Sequence, residues 1–392
     1  MKVAIIGAGA SGVMASIVAS KKNEVTVFEK NSKPLKKLLL TGNGRCNLYN
    51  KVNTYDKYHS DNEELLRKFV KLDEVENYLQ IFTDLGLLTI NKNNYIYPLS
   101  EKAENVKALL LNEAIKNKVV FKTDTLVDYI KHENNKFLIE NEYFDKVIIT
   151  TGSKAFLKND LSAGYKLALD FKHSITPLYP ALTSLYTDTS YEKLWAGKRC
   201  HVSVSLFIDD CLIKKEEGEL QFTKYGLSGI CIFNLSRYVK ESLSKGSKVY
   251  VSICFLDWDK ARIKEYFDKF GKRTLSWICD GFMDYELANV LMKYSKINKD
   301  KTWNFLSESD KFNFIDAITN FKVEIKDTKD FSEAQVCRGG IKLEEINPDT
   351  LESKKVKGLY FAGEILDIDG DCGGYNLTWA FLSGKKAGEL ND

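Results

Sequence analysis

The chain has 392 residues, more than one hydrophobic core usually serves, so two or three domains are expected. Its 57 basic and 54 acidic side chains give a formal net charge of +3, which neither demands nor excludes a polyanionic partner. The eight cysteines lack a C-x-x-C pair and the four histidines are scattered, which argues against a zinc ribbon, a dithiol redox pair or another metal site.

Only Met1 and Lys2 precede the first apolar run, which leaves no room for a signal peptide. No apolar stretch of the sequence is long enough to cross a membrane. We therefore expect a cytoplasmic protein without a membrane partner, whose cysteines are reduced.

The first block predicts a βαβ unit. Residues 3–6 form a short apolar run typical of a buried parallel strand, 13–20 have a helical pattern, and 24–28 form a second strand. The turn between the first strand and the helix reads G-x-G-x-x-G over residues 7–12. In that motif the first glycine permits a tight turn, the second lets a pyrophosphate approach, and the third lets helix and strand pack closely.

An acidic residue, Glu29, ends the second strand, where a carboxylate can accept hydrogen bonds from ribose hydroxyls. The same charge would repel a 2′-phosphate. Because the motif sits between strand and helix and has its acidic partner, it favours a dinucleotide over a chance glycine-rich turn. The candidate residues of this site are Gly7, Gly9, Ala10, Ser11, Gly12, Glu29 and Lys30.

The predicted secondary structure changes twice along the middle of the chain. Residues 31–53 are loop-like, and the segments that follow predict helices at 63–85 and 106–115 and strands at 119–122, 137–140 and 147–150. After about residue 173 the pattern predicts β segments at 182–186, 201–208, 212–215 and 249–255, followed by helical periodicity over 258–318. We expect a first domain of 1–172 with 331–392, a β-rich insert of 173–257 and a helical insert of 258–330.

The C-terminal block returns to strand, glycine-rich turn and helix. Residues 358–362 read as a buried strand that ends at Gly363 and Glu364, and a carboxylate there can bind ribityl hydroxyls. Residues 373–377 open a helix whose N-terminus can stabilise negative charge on the N1/O2 edge of a reduced flavin. A glycine cap before an ordinary amphipathic helix gives a similar pattern. Since no second G-x-G-x-x-G is present, the block favours FAD over a separate nicotinamide-binding domain.

These motifs resemble the BaiN/RdsA group of NAD(P)/FAD-dependent oxidoreductases, also called the YhiN-like flavoproteins. The resemblance covers essentially the whole chain. It rests on residues 37–47, 97–100 with 102–103, 218–223, 225–229, Gly339-Gly340, Gly363-Glu364, Asp367, Gly370 and 373–377. It departs at Ser153, where the family usually has a second glycine after Gly152.

The resemblance implies an α/β fold with a Rossmann-type FAD-binding domain built from both chain ends, an inserted β-barrel-like domain and a small helical domain. It implies a flavin-dependent reductase of carbon–carbon double bonds, with activities such as dihydrouridine formation in ribosomal RNA or reduction of bile-acid derivatives. It adds these cofactor-binding candidates: Lys37, Gly44, Arg45, Cys46, Asn47, Thr151, Gly152, Gly363, Glu364, Gly374, Tyr375, Asn376 and Leu377.

The expected reaction has two steps: NAD(P)H reduces FAD, and the flavin then passes a hydride from N5 to an electron-poor double bond. A side chain or water supplies the proton, with Cys46 and Cys372 as weak candidates, since cysteine is more often a small buried hydrophobe. The open alternatives are an oxygen-using hydroxylase or oxidase, a reductase of a small steroid-like substrate, and an RNA-binding protein with a structural flavin. Ribosomal RNA is a possible partner, although the basic and aromatic residues of 260–273 and 293–301 also fit a solvated helix face.

Overall fold

The computed structural model describes residues 1–156 and 163–390. The chain forms two compact units, one of Met1–Leu178 with Val336–Asp392 and the other of Tyr179–Gln335.

The strands, in chain order, are β1 Lys2–Ile6, β2 Glu24–Phe28, β3 Tyr49–Asn50, β4 Tyr58–His59, β5 Thr89–Lys92, β6 Tyr95–Pro98, β7 Val120–Lys122, β8 Lys131–Glu133, β9 Lys136–Ile139, β10 Glu142–Phe144, β11 Lys146–Ile149, β12 Tyr179–Ala181, β13 Leu185–Thr187, β14 Arg199–Ile208, β15 Cys211–Thr223, β16 Gly226–Ser228, β17 Val249–Cys254, β18 Phe321–Thr328, β19 Val336–Arg338, β20 Leu359–Phe361 and β21 Asp369–Gly370.

The α-helices are α1 Ala10–Ala19, α2 Glu63–Phe69, α3 Leu72–Glu76, α4 Tyr78–Asp84, α5 Ala103–Lys116, α6 Ala163–Asp170, α7 Glu192–Trp195, α8 Ile230–Ser236, α9 Val239–Ser244, α10 Lys260–Lys269, α11 Leu275–Cys279, α12 Tyr285–Tyr294, α13 Glu308–Thr319 and α14 Tyr375–Gly388. Short 3-10 segments lie at Lys37–Gly44, Tyr55–Lys57, Trp303–Phe305 and Leu343–Glu345.

The first unit is built on a five-stranded parallel sheet of order β20-β11-β1-β2-β7. Ala4 in β1 lies opposite Val147 on one side and Thr26 on the other. The apolar residues of β1 and β11 are buried, as expected for strands covered on both faces. Because β20 comes from near the C-terminus and pairs with β11, both ends of the chain contribute to this sheet. The predicted Rossmann-type architecture is confirmed.

Helices from the two chain ends pack directly on each other. A Cβ added at Gly384 in α14 would lie 2.3 Å from the Ser11 carbonyl oxygen, and one at Gly388 would lie 2.6 Å from that of Ala15. These approaches leave no space for a side chain, so Gly384 and Gly388 let the backbone of α14 lie against α1.

The helix predicted over 63–85 is wrong as a single element. The structure has three short helices, α2, α3 and α4, because Val70 and Lys71 are extended and Asn77 ends one helix as the next begins. The breaks let Phe69, Val75 and Phe82, one from each helix, all be buried. In a single straight helix, at about 100° per residue, Phe69 would lie roughly 120–140° around the axis from Val75 and Phe82, so the three would not share one buried stripe.

The second unit contains a closed six-stranded barrel of order β13-β16-β15-β14-β17-β18. The predicted barrel is confirmed. Its last strand, β18, begins three residues after the predicted helical periodicity of 258–318 ends, inside the predicted insert 258–330, whose bounds stay a prediction. Phe321, Val323 and Ile325 are buried and alternate with exposed residues, which is the period of a half-buried strand.

Helices α10 to α13 share one hydrophobic core with the barrel strands. Phe267 of α10 is fully buried there beside Trp303 and Phe314. Phe267, one of the aromatic residues of the stretch 260–273, therefore belongs to the core. The predicted division at residue 257 is not tested and stays a prediction. No described helix is long and apolar enough to span a membrane.

Candidate cofactor site

The sheet of the first unit brings the predicted site residues to one edge. Gly7 follows β1, Glu29 follows β2, Thr151 comes shortly after β11, and Glu364 comes shortly after β20. These four strands are adjacent and parallel, so their carboxyl ends share one edge. Open α/β sheets bind their ligands outside the carboxyl ends of the strands.

The glycine-rich loop is fixed from three sides. Gly7 has a φ of +101°, and its amide donates to the Phe28 carbonyl at 2.8 Å. The Thr150 hydroxyl lies 2.8 Å from the Gly7 carbonyl oxygen and 3.0 Å from that of Ile6. A Cβ at Gly12 would lie 1.9 Å from the Gly7 oxygen, so only glycine fits there. Thr150 was missed at the sequence level because nothing local distinguishes it from other strand-end threonines.

Glu29 holds the same loop through its buried carboxylate. Its Oε2 accepts from the Ala8 amide at 2.8 Å, and its Oε1 accepts from the backbone and side-chain amides of Asn31 at 2.8 and 2.5 Å. Each carboxylate oxygen offers two lone pairs, so Oε2 keeps one to accept from a ribose hydroxyl. Lys30, the next residue, is exposed.

The start of α1 fits a pyrophosphate. A Cβ at Gly9 would meet no atom within 4 Å, although Cβ atoms at Gly7 and Gly12 would clash. No side chain caps the helix, whose first residues are Ala10 and Ser11. Open space beside the uncapped amides of a helix start is what an anionic phosphate requires.

The end of the 3-10 segment Lys37–Gly44 and the turn that follows it explain the choice of glycine and asparagine in this motif. Gly42, Asn43, Gly44 and Cys46 have φ values of +56°, +55°, +81° and +60°. Glycine and asparagine tolerate this left-handed region better than other residues. Asn47 then lies buried with an Oδ1 that has no hydrogen-bond partner among the described residues.

A second unpartnered atom is the buried Oγ1 of Thr151. Buried polar atoms are nearly always paired, so such atoms indicate a missing polar ligand. Together with the open space at Gly9, they show that the residues present fit a dinucleotide.

Arg45 and Lys37 have partners within the chain. The Arg45 guanidinium lies 5.0 Å from the centre of the Tyr97 ring and 3.8 Å from Glu101 Oε2. The Lys37 ammonium donates to the Ala155 carbonyl at 2.8 Å. The Arg45 contact with the cofactor therefore stays a prediction.

Glu364 is held at the end of β20. Its Oε1 accepts from the Cys337 amide at 3.1 Å, and the hydroxyl of Ser153 is a further hydrogen-bond partner. Burial raises the pKa of Glu364, while the positive charge of Lys37 and these hydrogen bonds oppose that shift. The departure from the family at Ser153 thus adds a hydrogen bond to the carboxylate predicted to bind the ribityl chain. Gly152 lies beside it, with a Cβ position 3.9 Å from Glu364 Oε2.

Neighbouring Gly363 has a φ of +83°, and its amide donates to Ser383 Oγ at 2.9 Å. Ser383 lies in α14, so this bond joins the strand end to the C-terminal helix. No pattern in the sequence predicts this bond.

At the start of α14, the polar side chains form hydrogen bonds with backbone groups of neighbouring segments. The Tyr375 hydroxyl donates to the Val52 carbonyl at 2.7 Å, and the Asn376 amide group bonds both the N–H and the carbonyl of Gly370, at 2.9 and 2.8 Å. Gly374 caps the helix with a φ of +108° and no side-chain hydrogen bond, while Leu377 is partly buried. These side chains hold the loop before α14, and the role predicted for the helix N-terminus stays a prediction.

The two candidate cysteines differ in their surroundings. Cys46 is fully buried, and burial raises its thiol pKa to about 12 despite a hydrogen bond with Thr41. Cys372 is partly exposed, directly before the glycines that open α14. The described residues include no cluster of side chains able to hold a metal ion.

We expect Cys46→Ala to keep its FAD and its catalytic rate, with a stability loss of about 1 kcal/mol. The reason is that a buried thiol with a raised pKa acts as a small hydrophobe. Rapid-mixing kinetics of both half-reactions and a thermal melt check this, with Cys372→Ala as the matched variant. A hundredfold or larger loss confined to substrate reduction in Cys46→Ala would instead identify Cys46 as a proton donor, since such losses are typically about 100- to 10,000-fold.

The family model for the HI0933-like protein Rossmann domain matches residues 1–390. The chain belongs to this family. The resemblance inferred from the sequence motifs is thereby confirmed, and it supports a Rossmann-type FAD oxidoreductase.

Two relatives match over nearly their whole length. A 3-dehydro-bile acid delta(4,6)-reductase of Clostridium scindens is 35% identical, covering 99% of this chain and 98% of that protein. A ribosomal RNA dihydrouridine synthase of Escherichia coli is 26% identical, covering 97% and 95%. Among solved structures, a 3-ketosteroid-delta4-(5alpha)-dehydrogenase of Rhodococcus jostii is 13% identical, with 98% and 95% coverage and a TM-score of 0.47, too distant to carry an argument.

Proposed function

We propose that this protein is an FAD-dependent reductase that uses NAD(P)H to saturate a carbon–carbon double bond conjugated to a carbonyl group. The observation that carries the proposal is the edge of the parallel sheet, where Gly7, Glu29, Thr151 and Glu364 follow four adjacent strands. That edge has open space at Gly9 and unpartnered buried oxygens on Asn47 and Thr151, which fit a large polar dinucleotide.

The class of substrate follows from the two relatives. Their names denote different molecules with one reacting group: a 3-oxo steroid with conjugated double bonds, and uridine, whose C5=C6 bond is conjugated to a carbonyl. Conjugation makes the double bond electron-poor, as a hydride acceptor must be. We favour a small steroid-like enone because the bile-acid reductase is 35% identical and the ribosomal RNA enzyme 26%.

In this reading FAD supplies hydride chemistry, accepting from the nicotinamide and giving to the substrate. The chain supplies position and electrostatics. The α1 N-terminus would hold the pyrophosphate, Glu29 the adenosine ribose and Glu364 the ribityl chain, and the α14 N-terminus would stabilise negative charge on the reduced ring.

The test is anaerobic turnover of the FAD-loaded protein with NADH or NADPH. A steroid with a 3-oxo-4,6-diene should be reduced, and ribosomal RNA from a strain that lacks this protein should not gain dihydrouridine. Gain of dihydrouridine alone would assign the RNA activity instead. Turnover that requires oxygen would contradict a reductase, and FAD that neither nicotinamide reduces would leave a binding protein with a structural flavin.

A further inference from the structure

A buried acid, Asp367, lies outside every role assigned so far. It is 2% exposed and follows Glu364 by three residues, before the turn that opens α14. It therefore sits in the chain between the two segments that the proposed function assigns to the ribityl chain and to the N1/O2 edge. Asp367 is one of the residues that carry the family resemblance, but no local sequence pattern indicates its partners, which lie about 300 positions away.

The hydrogen bonds of Asp367 place its proton. Its Oδ2 accepts from the Ser60 hydroxyl at 3.1 Å and from the Asp61 amide at 3.0 Å. Its Oδ1 is buried and has no partner among the described residues. When the carboxyl is protonated, the O–H is therefore Oδ1–H, a buried donor that needs an acceptor from outside the chain. Leaving such a buried donor unpaired is unfavourable.

The charges around Asp367 favour proton binding. Burial is the main cause that raises its pKa to about 7, and the negative charges of Asp61 and Asp369 add to it, while the two hydrogen bonds to Oδ2 oppose it. On α6, the buried Tyr165 lies close enough for the two groups to influence each other. The facing cation, Arg338, is held by Asp61 at 3.1 Å.

The adjoining strand pair, β4 with β21, adds no net positive charge at this position. Its histidine, His59, bonds Asp371 at 2.8 Å, and Lys57 lies 3.5 Å from the same carboxylate. Asp367 thus changes protonation near neutral pH in a pocket that is mostly acidic.

We infer that Asp367 is a redox-linked proton site: its carboxylate binds one proton when FAD in this domain is reduced by two electrons, and releases it on reoxidation. The inference rests on the proposed function for the place of FAD. A nicotinamide delivers two electrons and one proton as hydride, which leaves one added negative charge. Solvent supplies the second proton, which goes to Asp367 Oδ1. A new negative charge nearby raises the pKa of a carboxyl, so the proton follows the electrons.

The test is the midpoint potential of bound FAD as a function of pH, measured by dithionite titration with mediator dyes and needing no substrate. Above about pH 7 the potential of the parent should fall by about 30 mV per pH unit more than below it, since a tenfold change in proton concentration is worth 29.6 mV for two electrons. Asp367→Asn should keep the parent's potential at low pH and lack the added slope. An unchanged slope in Asp367→Asn overturns the inference.

Two neighbouring variants keep the test decisive if Asp367→Asn fails to fold. Ser60→Ala removes a hydrogen bond that stabilises the carboxylate, so the change of slope should move to higher pH. Asp61→Asn removes a like charge and should move it to lower pH. Shifts in these opposite directions support the assignment, and no shift in either variant overturns it. An enone that is not reduced, with the slopes as expected, would refute the proposed function alone.

Discussion

We expect Gly9→Val to fold with the stability of the parent protein and to lose its FAD. Gly9 has a φ of −77° and a ψ of −169°, an extended backbone that valine adopts readily. A Cβ there meets no atom of the chain within 4 Å, so the only group that it obstructs is the dinucleotide. Overpacking costs about 1–3 kcal/mol, which corresponds to a loss of affinity on the order of 100-fold at its upper end.

The measurement is the Kd for FAD from flavin fluorescence, paired with thermal melts of the cofactor-free proteins. Gly12→Ala is the matched control, because its Cβ would lie 1.9 Å from the Gly7 carbonyl oxygen. That variant should lose stability and FAD together. Full FAD occupancy in Gly9→Val would show that the pyrophosphate lies elsewhere, and a lowered melting temperature without FAD would make Gly9 a packing residue.

Much of the fold could be predicted because its signals are local. The strand Glu24–Phe28 has the predicted bounds, and the barrel strands β14 and β17 lie within two residues of theirs. The errors arise where tertiary packing decides. The breaks at Val70 and Asn77 are set by which face of each helix reaches the core.

The site could be predicted where it depends on the backbone conformation of a single segment. The glycine loop and the positive-φ run at 42–46 leave a direct imprint on residue choice, since few residues suit those conformations. Contacts between distant segments leave no such pattern in the sequence. The spacing of the residues predicts neither the contact of Arg45 with the Tyr97 ring nor the hydrogen bond from the Ser60 hydroxyl to Asp367.

Glu345 links the first unit's two chain segments through a buried polar network. Its carboxylate accepts from the Ser174 amide at 2.9 Å and bonds His173 Nδ1 at 2.9 Å, and Lys355 lies 2.7 Å from its other oxygen. Burial by itself would raise the pKa of Glu345, but these hydrogen bonds outweigh it and lower the pKa to about 2. Burial also lowers the pKa of His173, more than Glu345 raises it, so the imidazole is neutral at pH 7.

Both shifts make the folded state less stable in acid than at neutral pH. The unfolded glutamate binds a proton near its ordinary value of 4.5, whereas the folded one stays ionised to about 2, so its contribution disappears between those limits. Because this carboxylate is partly exposed, solvent screening reduces that contribution to about 1–3 kcal/mol at pH 7. The unfolded His173 likewise takes up a proton below its ordinary value of 6.5, before the folded residue does. Stability should therefore begin to fall below about pH 6.5 and fall more steeply below 4.5.

We expect Glu345→Gln to lower the free energy of unfolding of the first unit by about 1–3 kcal/mol at pH 7 and by little at pH 2. Urea denaturation followed by hydrogen exchange of peptides covering 341–361 isolates this unit from the barrel unit. Glu344→Gln is the control, because it removes the exposed carboxylate next in the chain, and surface changes of this kind stay within about 0.5 kcal/mol. A deficit in Glu345→Gln that persists unchanged down to pH 2 would mean that lost packing, and not the ionised carboxylate, is responsible.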